Sequence, residues 1–63
     1  MEAKRTTLNI HLIRKVDGTK EIKTQEVAQL PHVTDEDLKR KYFRATKKVM
    51  ALVGFDVEKV EIV

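Results

Sequence analysis

The sequence predicts an α+β domain of ββαβ order: a three-stranded antiparallel sheet, spatial order 2-1-3, with one helix packed on one face. Three observations carry this. Leu8, Ile10 and Leu12 alternate with Thr7, Asn9 and His11, the period-two signature of a half-buried strand. Asp35, Glu36 and Asp37 open a stretch whose apolar residues recur at helical spacing until Gly54. With 41% hydrophobic residues, two glycines and one proline, the 63-residue chain is too apolar and too poor in breakers for a disordered tail.

The first strand is expected over residues 6–16, after a flexible tail at 1–5. Asp17-Gly18 supplies a turn, and residues 20 to about 30 read as the second strand. A two-residue loop would set Leu12 opposite Lys23 and Ile10 opposite Gln25, mixing core and solvent on one face. A three-residue loop, Val16-Asp17-Gly18, sets Leu12 opposite Ile22 and Ile10 opposite Thr24, and is the expected register. Its inward row then includes Glu26, so a bulge near Gln25–Glu26 is expected to turn Val27 inward. Pro31 ends the strand, because it offers no ladder donor.

Thr34 is the predicted N-cap of a helix running to about residue 53, with Gly54 as its left-handed stop. Leu38, Tyr42, Ala45, Val49, Leu52 and Val53 fall within one arc of roughly 100° and form the expected core face. Residues 55–63 read as the third strand, with a phase break near Lys59. A right-handed crossover places it beside the first. The other sheet face, expected to carry Asn9, His11, Ile13, Lys23 and Gln25, has nothing left in the chain to cover it.

Composition narrows function by exclusion. Cysteine is absent, which rules out disulfides and thiolate metal sites and is compatible with a reducing, cytoplasmic location. No apolar run approaches the ~18 residues of a membrane span, and the first residues lead into no signal core. Serine is absent too, and His11 and His32 lie in different elements. No nucleophile therefore sits beside a base. The acidic trio compensates a helix dipole, and the glycines serve a turn and a helix stop. The expectation is no enzyme, no cofactor, no metal and no small-molecule or membrane partner.

Two features remain. Six cations (Lys39, Arg40, Lys41, Arg44, Lys47, Lys48) lie between Leu38 and Val53 with no acid among them, in a chain of net charge +3. Asp35–Lys39, Glu36–Arg40 and Asp37–Lys41 have the favourable i, i+4 spacing, which would leave Arg44, Lys47 and Lys48 free. Phe43 and Met50 sit off the predicted core arc beside Lys39 and Lys47, a candidate docking pair. The expected binding residues are thus Arg40, Phe43, Arg44, Lys47 and Met50. They suit a protein-binding or inhibitory module, with self-association as a homodimer a further form. The alternative is a nucleic-acid binder that sets the same cations against phosphates.

The hairpin, the acid-started helix and the segment Gly54-Phe55-Asp56-Val57-Glu58-Lys59-Val60 resemble small accessory proteins of bacteriophages and bacterial mobile elements, such as the small phage inhibitor of bacterial RNA polymerase. The likeness covers the topology and about seven residues. It implies a small non-catalytic protein that acts by binding another macromolecule. That inhibitor's surface is acidic whereas this helix is basic, so its partner does not carry over.

Overall fold

A computed structural model describes residues 3–63 and contains β1 (Lys4–Arg14), β2 (Lys20–Gln29), α1 (Asp35–Ala51) and β3 (Phe55–Ile62). The fold is α+β, with an antiparallel sheet in the order β2-β1-β3 and the helix on one face. β1 starts at Lys4, so Lys4 and Arg5 of the expected tail are strand, and residues 1 and 2 lie outside the described residues.

The alternation read in β1 sets the core. Leu8 and Ile10 are fully buried, joined by Leu12, Val27, Leu38, Val57 and Val60. Burying Leu8 and Ile10 stabilises by about 1.5–3 kcal/mol each. In β3 the pairing shifts between His11↔Lys59 and Leu12↔Val57, which leaves Glu58 as the extra residue of a bulge. This is the phase break anticipated near Lys59. It lets Val57 and Val60, three positions apart, both face the core.

The hairpin register differs from the one predicted. Arg14 N–H donates to the Thr19 carbonyl at 2.8 Å and Gly18 N–H to the Arg14 carbonyl at 2.7 Å. The loop is therefore four residues long (15–18), with Gly18 at φ +73 and the Asp17 carboxylate accepting from Thr19 N–H at 2.9 Å. Leu12 faces Glu21 and Ile10 faces Lys23, rather than Ile22 and Thr24. Val27 does point inward, but the pairing runs unbroken from Lys4↔Gln29 to Ile13↔Lys20, so no bulge turns it. The mixed row of Glu21, Lys23 and Gln25 is tolerated because α1 packs against β3 and leaves Glu21 and Lys23 exposed and the uncharged Gln25 half-buried.

The same asymmetry rolls the helix. Thr34 caps it as expected, accepting from Asp37 N–H at 3.2 Å. It ends at Ala51, two residues short of the predicted limit, and Gly54 takes the left-handed φ of +84. Lys15 N–H bonds the Gly54 carbonyl at 2.9 Å, tying hairpin to helix end. Of the predicted core arc only Leu38 is buried and Tyr42 half-buried, whereas Ala45, Val49, Leu52 and Val53 are exposed. Phe43 and Met50 pack against the core instead. Phe43 lies beside Val60, while a roll the other way would press Val49 and Val53 toward charged Glu21 and Lys23. No helix among the described residues is long and apolar enough to cross a membrane.

Candidate binding surfaces around the helix

The capping and pairing at the start of α1 decide which cations are free. Gln29, 4% exposed, accepts the Thr6 hydroxyl at 2.6 Å and donates from Nε2 to the Val33 carbonyl (2.8 Å) and to Asp35 Oδ1 (3.0 Å). Asp35 is thereby engaged away from Lys39. The acids that remain pair at i, i+3 rather than i, i+4: Glu36 with Lys39 at 2.9 Å and Asp37 with Arg40 at 4.0 Å. Among the described residues no carboxylate lies within ion-pair distance of Lys41, Arg44, Lys47 or Lys48, so Lys41 joins the three cations expected to be free.

The five expected binding residues do not converge on one spot. Arg44 and Lys47 are exposed on the outer face of α1. Lys47 Nζ lies 5.7 Å from the centroid of the Phe43 ring, a cation–π contact that holds both side chains. Phe43 and Arg40 line an open groove of about 310 Å³ between α1 and β3, with Glu36, Lys39, Glu58 and Lys59 around them. Met50 opens to the opposite side. There Tyr42, Ala45, Thr46, Val49 and Met50 face Lys23 and Gln25 of β2 across a groove of about 220 Å³.

Sequence reasoning missed the apolar flank beside that second groove. Val49, Leu52 and Val53 are 59%, 87% and 63% exposed, next to the cationic row of Lys41, Arg44 and Lys48. Val49, Leu52 and Val53, assigned to the core by periodicity, are thus exposed, whereas Leu38 and Tyr42 of the same arc are buried and half-buried. The signal was present in the pairing of bulky Phe43 and Met50 against small Ala45 and Val49.

The uncovered sheet face carries charge pairs of its own, although His11 Nε2 is buried and has no hydrogen-bond partner among the described residues. His11 Nε2 abuts the Glu61 carboxylate, Lys59 lies 3.5 Å from Glu61, and Lys20 reaches Glu58 at 3.7 Å. The Lys59 ammonium, opposed by partial desolvation and aided by His11, holds the Glu61 carboxyl below its usual range. Lys23 and Gln25, expected on this face, lie on the helix side, and Ile22 and Thr24 replace them. Thr24 donates to the Asn9 side chain at 2.9 Å. Among the described residues no three His, Asp or Glu side chains form a metal-binding group. No protein-family model, curated protein or solved structure matches the chain.

Proposed function

We propose that the protein is a non-catalytic binding module whose helix seats an apolar, acid-flanked segment of a partner protein. The observation that carries this is the exposed row of Ala45, Val49, Leu52 and Val53 running beside cations that no local acid neutralises. Val49 and Leu52 supply the apolar anchor, Lys41, Arg44 and Lys48 steer and hold the acidic rim, and Phe43 and Met50 brace the helix from beneath. A small domain that covers a partner's surface in this way acts by occlusion, as an inhibitory accessory protein would.

The unpaired crest of Lys41, Arg44, Lys47 and Lys48 also favours a second reading, contact with nucleic-acid phosphates. Backbone amide shifts under titration separate the two. An acidic amphipathic helical peptide and a mixed-sequence duplex oligonucleotide are the probes. The protein reading expects saturable peptide shifts at Ala45, Val49 and Leu52 that Val49→Asp and Leu52→Asp remove. Oligonucleotide binding confined to the crest, weakened steeply by salt and untouched by those substitutions, would replace it.

A further inference from the structure

The free edge of β2 fits a second copy of this chain. Arg14 N–H bonds the Thr19 carbonyl, so by alternation Leu12/Glu21, Ile10/Lys23 and Leu8/Gln25 are the hydrogen-bonded pairs. The N–H and C=O groups of Lys20, Ile22, Thr24, Glu26 and Ala28 therefore point away from β1, out of the sheet. Natural edges are blunted by bulges, prolines, shortness or charged and inward-pointing side chains. Among the described residues the only such protection of β2 is its charges at Lys20, Glu21, Lys23 and Glu26, which guard against a copy only in registers where they do not complement one another. β3 carries such a bulge at Glu58, but β2 runs ten residues without a bulge or proline.

Residues opposed across an antiparallel pair share a face, so two copies of β2 can meet only about an axis through one residue and its own copy. Axes at Glu21, Lys23 or Glu26 stack like charges. Axes at Thr24, Gln25 or Val27 oppose no unlike charges. The axis at Ile22 alone sets Glu21 opposite the partner's Lys23, twice by symmetry, with no like charge at the centre. The four groups then form a square of alternating sign on the helix face, with Arg14 already 3.1 Å from Glu21. On the other face Ile22, 61% exposed in the single chain, meets its copy beside His11.

We propose that two copies of this chain join β2 to β2 about a two-fold axis at Ile22, making one six-stranded antiparallel sheet. This goes beyond the partner binding proposed above, since it uses the sheet edge and leaves the outer face of α1 open.

Sedimentation over micromolar to millimolar concentrations tests it. The native chain is expected to dimerise. Lys23→Glu, which opposes four carboxylates, should weaken the dimer about tenfold or more, and Glu21→Lys with Lys23→Glu should restore it. Because the chain has no cysteine, Ile22→Cys should give a covalent dimer on mild oxidation. Thr24→Cys, whose copies lie four residues out of step, should not. A native chain that stays monomeric would overturn the proposal, as would a dimer that Lys23→Glu leaves intact or that cross-links equally through Thr24→Cys. Should Lys23→Glu fail to fold by circular dichroism, the two cysteine variants decide alone.

Discussion

Gln29 shows how one polar residue can do the work expected of an apolar one. Its amide joins the start of β1, the end of β2, the connecting loop and the first turn of α1 in one buried cluster. Gln29→Leu strands the Thr6 hydroxyl, the Val33 carbonyl and Asp35 without their partner, and should cost about 1–3 kcal/mol in urea unfolding. Adding Thr6→Val removes the orphaned hydroxyl as well, so the double variant should recover part of that loss. Two exposed carboxylates contribute modestly to the acid behaviour. Thr19 N–H bonds to Asp17, and the Lys59 ammonium beside Glu61, hold both groups below the usual carboxylate range of ~3.9–4.3. A lowered folded-state pKa contributes stability that is complete above that range and lost as pH falls through the folded value. Melting temperature should therefore drop on the acid side of pH ~4, and Asp17→Ala or Glu61→Ala should flatten that limb in a pH series.

At the scale of elements, β1, the capped start of α1 and the break in β3 were legible because each depends on local chemistry. Alternation marks β1, Thr34 with three acids marks a helix start, and two valines three apart in β3 demand a bulge. The register of β2 and the roll of α1 were not legible, because each depends on the other. If α1 lay over β2, Ile22 would belong inside and the three-residue loop would be right. With α1 over β3, Glu21 and Lys23 stay wet at little cost, the four-residue loop is free to form, and Phe43 becomes core. The candidate site followed the same logic: the cations were readable, the apolar flank beside them was not. This ordering is measurable. Phe43→Ala should cost about 2–3 kcal/mol, somewhat below the ~3–5 of a fully buried phenylalanine, whereas Val49→Ala should cost no more than about 0.5. Equal losses in urea unfolding would mean that α1 lies on its predicted face after all.

The molecule as a whole carries more surface than its size calls for. It exposes 4710 Å², against ~4,200 Å² for a compact chain of its mass. Among the described residues the buried core is seven residues, and the molecule is elongated, at 44 × 19 × 15 Å. The uncovered parts include Glu21 and Lys23 on the helix side of β2, the open flank at Val49, Leu52 and Val53, and Ile22 on the far face. A domain built this way is marginal alone and gains stability from anything that binds only its folded form. If β2 pairs with its own copy, unfolding is coupled to dissociation, and a hundredfold rise in concentration adds ~1.4 kcal/mol per chain. For a domain of this length that is a rise in Tm of ~5–10 °C. The native chain and the Glu21→Lys/Lys23→Glu pair should show it, and Lys23→Glu should show it only at concentrations about tenfold or more higher. A Tm that is flat with concentration in all three would place the whole excess surface in water, leaving the acidic partner at α1 as the means of covering it. Saturating acidic peptide at a hundred times its Kd should then raise stability by ~2.7 kcal/mol, through Val49 and Leu52 rather than through β2.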